Sequence, residues 1–217
     1  MLLEDLRTHV LDTALLLPKY GLVWMAGGTV CARDAQTGYV VVTPSGLDYE
    51  RLTPDDMIVT DMDMNLVEGK YRPSVALNLW TGFMRSRPEL NAVVHTHSPY
   101  ATAFSVAYQS IPVITETMAD WFGQPVPVTR YLSVEDPEFS TLPIEVMGSG
   151  YAVLLGNHGP ITVGKTIAHA LERAVTLEEA ARTYSIARMI NVPVTLTEEQ
   201  ACASFDYYHN RYGQKKS

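Results

Sequence analysis

The sequence predicts an α/β fold in which helices flank a largely antiparallel central sheet. Short apolar runs typical of buried strands are mixed with amphipathic segments of helical period, and the two do not alternate regularly as in a parallel sheet. The chain of 217 residues is 47% hydrophobic and 18% charged, which suits a compact core. No low-complexity linker divides it, so we predict one domain spanning residues 1–217.

Helical periodicity and capping signals predict six helices, over residues 2–17, 73–87, 99–108, 137–148, 166–190 and 197–210. Pro18 is expected to end the first helix, and Pro99 suits the first turn of the third. The segment 166–190 is the longest and the most clearly amphipathic.

Strands are predicted over residues 39–43, 57–60, 92–97 and 151–156, with short extended segments at 112–115 and 126–129. A turn at Pro44-Ser45-Gly46 follows the first of them. The glycine-bearing segment 21–33 has no regular pattern, as expected where backbone approaches a ligand or another strand.

Charge and cysteine content exclude several classes of protein. A net charge of −8 argues against nucleic-acid and anionic-membrane partners. Cys31 and Cys202 form no CxxC pair, and neither a dinucleotide-binding glycine motif nor a P-loop is present. The N-terminus has no signal-peptide pattern and no apolar run reaches membrane-spanning length, so we expect a cytoplasmic protein.

Three histidines predict a metal site. His95 and His97 lie two residues apart on a predicted strand, so their imidazoles point to the same face. His158 follows another apolar run and stands beside Gly159. Three imidazoles with a vacant coordination position are typical of catalytic zinc. The alternative is that they are ordinary histidines satisfied at strand ends.

The sequence resembles the class II aldolase/adducin family, and within it the L-ribulose-5-phosphate 4-epimerase and L-fuculose-phosphate aldolase branch. The resemblance runs from about residue 21 to 190, and the order and spacing of its pieces carry it. The pieces are Ala26-Gly27-Gly28-Thr29-Val30, Thr43-Pro44-Ser45-Gly46, Arg72-Pro73-Ser74, His95-Thr96-His97-Ser98, Ala119-Asp120, His158-Gly159-Pro160 and, weakly, Tyr212-Gly213-Gln214.

The resemblance implies an α/β sandwich that assembles as a homotetramer with active sites at subunit interfaces. It also implies a divalent metal, usually zinc with manganese possible, held by His95, His97 and His158. The implied chemistry is aldol cleavage or formation, in which the cation holds the oxygens of a ketose and stabilises an enediolate.

Glycines and hydroxyls matching the family's phosphate pocket are the candidate substrate-binding residues. They are Gly27, Gly28, Thr29, Ser45, Gly46 and Ser74. Backbone N–H groups and a helix start can both bind phosphate; the alternative is that these are plain turn and cap residues. Thr29, Cys31 and Val75 depart from the family's usual asparagine, serine and second serine, which leaves open a smaller or unphosphorylated ligand.

Ala76 is the largest departure, because the family places an Asp or Glu there as metal ligand and acid/base group. Three explanations stay open: a natural three-histidine metal with more open coordination, a deliberate substitution that silences the enzyme, or a branch that has lost aldolase chemistry.

Because Ala76 cannot transfer a proton, other residues must do so if the site is active. Asp120 matches the epimerase branch's acid/base aspartate, supplied from a neighbouring subunit, and Tyr212 matches its second acid/base residue. Glu116 is a weaker candidate for a displaced carboxylate. An acid/base group on each face of an aldehyde favours 4-epimerisation over simple cleavage.

The sequence therefore predicts metal-dependent aldol-type chemistry, cleavage or 4-epimerisation, on a small, phosphorylated keto sugar. One rival is decarboxylation of a small hydroxy or keto acid on the same metal. The other is an adducin-like interaction protein without activity, which the three retained histidines disfavour.

Overall fold

The computed structural model describes residues 1–214. The strands are β1 (Thr29–Arg33), β2 (Val40–Val42), β3 (Ile58–Thr60), β4 (Leu66–Glu68), β5 (Ala92–His95), β6 (Val128–Tyr131), β7 (Ala152–Gly156) and β8 (Gly159–Gly164). The helices are α1 (Glu4–Lys19), α2 (Leu77–Ser86), α3 (Pro99–Val106), α4 (Glu116–Phe122), α5 (Leu142–Met147), α6 (Ile167–Ile190) and α7 (Glu198–Asn210).

All the strands of this described part form one eight-stranded sheet, in the order β4-β3-β2-β1-β5-β8-β7-β6. Neighbouring strands are antiparallel except for β6 and β7, which are parallel. The predicted α/β fold with a largely antiparallel sheet is confirmed. No helix within residues 1–214 is long and apolar enough to cross a membrane.

Both faces of the central part of the sheet are buried, because helices cover each of them. On β5, Val93 packs into a core with residues of α2, whereas Val94 packs into a core with residues of α1 and α6. A strand buried on both faces is apolar at nearly every position, which is why these strands appear in the sequence as continuous apolar runs. Odd-numbered residues of β5 face α2, and His95 therefore lies on that side.

Four elements were not predicted. They are β1, β4, β8 and α4. Strand β8 carries Gly159, Pro160 and Gly164, residue types that usually interrupt strands. It forms nonetheless because it pairs with both β5 and β7, so the sheet supplies its partners. Helix α4 has only seven residues, too few to show a helical period.

Several boundaries differ from the predictions. Helix α1 continues past Pro18 to Lys19, because a proline in the last turn removes only one hydrogen bond. Helix α2 begins at Leu77 rather than at 73, since Pro73 bridges to Pro44 in an extended conformation. Helix α5 covers only the end of the segment predicted at 137–148. Strand β5 ends at His95, two residues before the predicted end.

Candidate active site

The three predicted histidines meet at one point beside the sheet. His95 ends β5, His97 follows two residues later, and His158 lies in the two-residue connection between β7 and β8. The ring centroid of His95 is 4.8 Å from that of His97 and 4.8 Å from that of His158. One nitrogen from each ring lies within 4.8 Å of the others. The hairpin turn, with Asn157 at a positive φ of 56°, places His158 opposite the β5 pair.

Hydrogen bonding orients the most buried ring. His95 is 5% exposed, and its Nδ1 lies 3.0 Å from the carbonyl oxygen of Pro160. A carbonyl can only accept, so Nδ1 carries the proton and Nε2 presents its lone pair. Desolvation lowers the pKa of His95 well below its usual value, and the nearby His158 and His97 lower it further.

The other two rings are also held neutral. Desolvation lowers the pKa of His97, and desolvation followed by the charge of His97 lowers the pKa of His158. Neutral imidazoles keep their lone pairs free for a cation at neutral pH.

The donor set fits a divalent metal. The Nε2 atoms of His95 and His97 are 3.1 Å apart. Two nitrogens, each about 2.0 Å from a tetrahedral zinc ion, lie roughly 3.3 Å from each other. Three imidazoles therefore stand where ligands of one borderline cation would stand, and His95, His97 and His158 are the residues that would hold it.

Glycines allow the surrounding loops to approach these rings. A Cβ on Gly27 would lie 3.2 Å from Nδ1 of His97, and a Cβ on Gly28 would lie 2.9 Å from the backbone oxygen of His95. On the other side, a Cβ on Gly159 would lie only 2.4 Å from the backbone oxygen of Thr96. The loop 26–28 and the start of β8 thus pack directly against the histidine strand.

The histidines form part of the lining of a cavity of about 560 Å³. All six predicted substrate-binding residues line the same cavity: Gly27, Gly28, Thr29, Ser45, Gly46 and Ser74. They come from three separate loops that the sheet brings together. A second cavity of about 520 Å³, bordered by His9 and Asp12 of α1, contains none of these residues.

The backbone N–H groups of Gly27 and Gly28, which the sequence offers as hydrogen-bond donors to a phosphate, have backbone partners in this fold. The N–H of Gly27 donates to the carbonyl of Trp24, and that of Gly28 donates to the carbonyl of Ala26. The N–H of Ser45 likewise donates to Arg72. Since these N–H groups already have partners, the glycines serve close packing, and the hydroxyls of the cavity are its better candidates for binding a ligand.

Ser74 is the best-connected of these hydroxyls. Nε1–H of Trp80 donates to its Oγ at 3.1 Å, and Oγ1 of Thr29 lies 3.3 Å away. The indole of Trp80 also stacks on His95 with the centroids 5.5 Å apart. Trp80 therefore contacts both a predicted metal ligand, His95, and a predicted substrate-binding residue, Ser74. In the sequence, Trp80 lies within the predicted helix 73–87 and belongs to no motif.

Ala76 borders the cavity beside Trp80, immediately before α2. It is 7% exposed and its methyl group belongs to the apolar core on that side of the sheet.

The predicted acid/base residues lie elsewhere in the chain. None of Asp120, Tyr212 and Glu116 lines the histidine cavity. Asp120, on α4, accepts a hydrogen bond from Ser204 at 2.7 Å. Tyr212 stacks on Tyr208 of α7, with ring centroids 5.1 Å apart.

Glu116 lines a different groove, together with Gln200 and Tyr207 of α7. A single chain therefore does not bring these groups to the histidines.

Other cavity residues were missed because they follow no motif. They are Tyr131, Leu132, Ser133, Val134, Phe139 and Asn157. Asn157 stands beside a predicted ligand and accepts a hydrogen bond from the hydroxyl of Tyr108 at 2.5 Å. Its place in the two-residue turn between β7 and β8 could have marked Asn157 in the sequence. That hairpin was not recognised because β8 was not predicted.

Comparison with known proteins decides the family. The family model described as "Class II Aldolase and Adducin N-terminal domain" matches residues 8–185. The chain belongs to the class II aldolase and adducin family. Among curated members, it is 38% identical over 225 residues to the L-ribulose-5-phosphate 4-epimerase UlaF of Salmonella paratyphi B, covering 99% of this chain and 96% of that protein.

Solved structures of the class II aldolase type share the fold. An L-fuculose 1-phosphate aldolase superposes with a TM-score of 0.90 at 25% identity, covering 94% of this chain and 96% of its own. YgbL from Escherichia coli, for which the activities aldolase, epimerase and decarboxylase are left open, superposes with a TM-score of 0.84 at 25% identity, covering 93% and 98%. The predicted family and enzyme class are confirmed.

Proposed function

We propose that this chain catalyses metal-dependent aldol-type chemistry, 4-epimerisation or cleavage, on a small phosphorylated keto sugar. The observation that carries the proposal is the convergence of three neutral imidazoles at the floor of a cavity lined by hydroxyls. The relatives, an L-ribulose-5-phosphate 4-epimerase and L-fuculose 1-phosphate aldolases, support it. They also favour an enzyme over an interaction protein. A cytoplasmic location stays a prediction.

Three imidazole nitrogens suit zinc, with manganese as the alternative. When bound, such a cation acts as a Lewis acid that stabilises negative charge developing on carbonyl and hydroxyl oxygens.

The chain's own residues position the ligand. Pro160 fixes the tautomer of His95, so its Nε2 lone pair faces the site. Ser74 Oγ accepts from Nε1–H of Trp80 and lies 3.3 Å from Oγ1 of Thr29, so Trp80 holds a pair of hydroxyls in the cavity for a phosphate oxygen. Ser45 adds a further hydroxyl to the same cavity. The apolar side chains of Leu132 and Phe139 also line this cavity, and apolar lining limits the access of water to a bound substrate.

We further propose that the proton-transfer groups come from a neighbouring copy in a homotetramer. Asp120 accepts from Ser204 of α7, and Tyr212 stacks on Tyr208 of α7, so both lie against the same helix. In this proposal Asp120 takes a proton on one face of the substrate, and the phenol of Tyr212 gives one on the other.

The cavity rim favours such a second copy. It carries Val75 and Tyr131, which are 73% and 57% exposed, and the adjoining Trp24 and Met25 are 70% and 86% exposed. Apolar side chains that exposed are typical of a covered surface. Glu116 stays a weaker candidate for proton transfer. Full turnover in a Glu116→Gln variant would exclude that role.

Decarboxylation of a small hydroxy or keto acid is the second candidate. The observation that favours it is Ala76, which leaves the site without the family's carboxylate and therefore suits a substrate that brings its own.

Product analysis tests the proposed function. Protein loaded with zinc or manganese is incubated with L-ribulose 5-phosphate, with L-fuculose 1-phosphate and with small hydroxy acids. We expect a C4-inverted sugar phosphate or two cleaved fragments, whereas carbon dioxide release identifies the decarboxylase.

The matched variants are His158→Ala and His9→Ala. His158 is a proposed metal ligand, whereas His9 is exposed on α1 and lies away from the site. Turnover should be lost only in the first. A loaded wild-type protein that converts none of these compounds contradicts the proposal.

A further inference from the structure

Asn157 lies on the other side of the histidine strand from the hydroxyls proposed for the phosphate. Strand β5, which ends at His95, pairs with β1 along one edge and with β8 along the other. Thr29 begins β1, whereas Asn157 lies in the two-residue turn before β8. Both residues line the histidine cavity. A ligand whose phosphate is held beside Thr29 and whose middle lies at the histidines therefore extends toward Asn157.

The carboxamide of Asn157 is held by its oxygen and keeps its N–H groups free. The hydroxyl of Tyr108 donates to Oδ1 of Asn157 at 2.5 Å. Within residues 1–214, no group accepts a hydrogen bond from Nδ2 of Asn157. An amide whose oxygen is fixed presents its two N–H donors in a defined direction. A ligand in the cavity can supply the acceptor that the chain does not.

Backbone strain accompanies the contact between Tyr108 and Asn157. Their φ angles are 54° and 56°, both in the left-handed region. Asparagine tolerates this region, but tyrosine is uncommon there, and glycine is the usual residue just after a helix. Strained residues of this kind cluster at binding sites, where the surrounding structure maintains them. Glycine would suit the backbone at position 108 better, but it could not reach Asn157.

The side chain of Asn157 is not what holds the turn. The N–H of His158 donates to Oγ of Ser105 at 3.1 Å and to the carbonyl of Leu155 at 3.0 Å. The N–H of Asn157 donates to the carbonyl of Ser105 at 3.4 Å. Because Ser105 contacts the backbone of both turn residues, the position of His158 does not depend on the amide of Asn157.

We propose that the carboxamide of Asn157 donates a hydrogen bond to a sugar hydroxyl at the end of the substrate remote from the phosphate. Tyr108, which is not among the described residues lining the cavity, is the positioning residue that orients this amide. The inference rests on the proposed function, because that function supplies the phosphate end and the metal. It adds a determinant of substrate length: a sugar phosphate with a hydroxyl at its far end is preferred to a shorter one.

Two unreactive probes that differ at the far end test the inference. Borohydride reduction of L-ribulose 5-phosphate gives pentitol 5-phosphates, which have no carbonyl and keep every hydroxyl. Glycerol 3-phosphate has the same phosphate but is two carbons shorter. Calorimetry measures the binding of each probe to the zinc-loaded full-length protein, and the ratio of the two affinities is the readout.

We expect Asn157→Gly to lower this ratio roughly tenfold, which is about the contribution of one hydrogen bond. Glycine suits a positive φ, so the variant removes the side chain without straining the turn. Asn157→Asp tolerates the same φ and keeps an oxygen that can accept from a sugar hydroxyl, so it should keep most of the ratio. Its repulsion of phosphate acts on both probes and largely cancels in the ratio.

Tyr108→Phe tests the positioning role. We expect it to lower the ratio roughly threefold in the wild-type background and not at all in Asn157→Gly, because it acts only through the amide. Metal content is measured for every variant, since a displaced His158 would weaken binding for a different reason.

Four outcomes overturn the inference while leaving the proposed function intact, provided that the wild-type protein converts a sugar phosphate. They are an unchanged ratio in Asn157→Gly, an equal fall in Asn157→Asp, an equal effect of Tyr108→Phe in both backgrounds, and a fall that occurs only where metal is lost. A zinc-loaded wild-type protein that binds neither probe and converts no sugar phosphate contradicts the inference and the proposed function together.

Discussion

At Gly159 the backbone of β8 approaches the histidine strand too closely for a side chain. A Cβ there would lie 2.4 Å from the oxygen of Thr96 and 3.2 Å from Cδ2 of His97. The nearest atom belongs to backbone and cannot swing away. The residue that follows His158 in sequence therefore determines how closely His158 approaches His97.

We predict that Gly159→Ala destabilises the protein by roughly 2–3 kcal/mol through overpacking. The control is Gly38→Ala, at a φ of 75° in open space, which should cost roughly 1 kcal/mol from backbone strain alone. Chemical denaturation measures both. The packing argument is wrong if the two variants lose equal stability and Gly159→Ala binds metal as wild type does.

The proposed metal ligands were predictable from sequence, whereas the residues that surround them were not. His95 and His97 share a face because strands have a period of two, and this requires no knowledge of the fold. Trp80 and Phe139 reach the same cavity from distant segments, and no local pattern marks them. The partners of the Gly27 and Gly28 N–H groups are likewise visible only in the folded loop.

At the scale of single elements, Glu178 of α6 stabilises the start of α3. Ser98 is the N-cap of α3, but its side chain makes no capping hydrogen bond. The carboxylate of Glu178 instead accepts from the N–H groups of Tyr100 and Ala101, at 2.9 and 2.8 Å. Because α3 begins two residues after His97, this contact also holds the end of the histidine segment.

We predict that Glu178→Gln lowers the free energy of unfolding by about 1 kcal/mol, since an amide satisfies only one of the two N–H groups. Amide exchange in α3 should become faster. Glu179→Gln is the control, because Glu179 is exposed and only 3.7 Å from the equally exposed Arg182. Equal stability of the two variants argues against the capping role.

The buried face of α6 includes a charged residue that the apolar periodicity of the sequence does not predict. Its apolar residues predicted the helix correctly, but Arg173 is also buried, at 2% exposure. Its guanidinium donates to the carbonyls of Trp121 and Val163 and lies 3.8 Å from the ring centroid of Tyr151. Burial lowers the pKa of Arg173 to about 10. These partners come from α4, from β8 and from the residue before β7, and neither α4 nor β8 gave a sequence signal.

At the scale of the whole molecule, the proposed function divides one active site between two copies. In this proposal one chain supplies the histidines and hydroxyls, and its neighbour supplies Asp120 and Tyr212. Every chain contains both groups of residues, but its own Asp120 and Tyr212 do not line its own histidine cavity.

Mixed oligomers test this division. His158→Ala and Asp120→Asn should each be inactive alone, yet subunits mixed after dissociation and reassembly should recover part of the wild-type turnover. Recovery requires one intact site formed from two defective chains. A mixture that stays inactive, with reassembly confirmed by mass, contradicts the shared site.

The most direct test of the central claim is the metal content of the purified protein, measured by elemental mass spectrometry without added metal. We predict close to one zinc or manganese per chain, and a large loss of it in His158→Ala but not in His9→Ala. A wild-type protein that contains no metal and takes up none when zinc or manganese is supplied would contradict it.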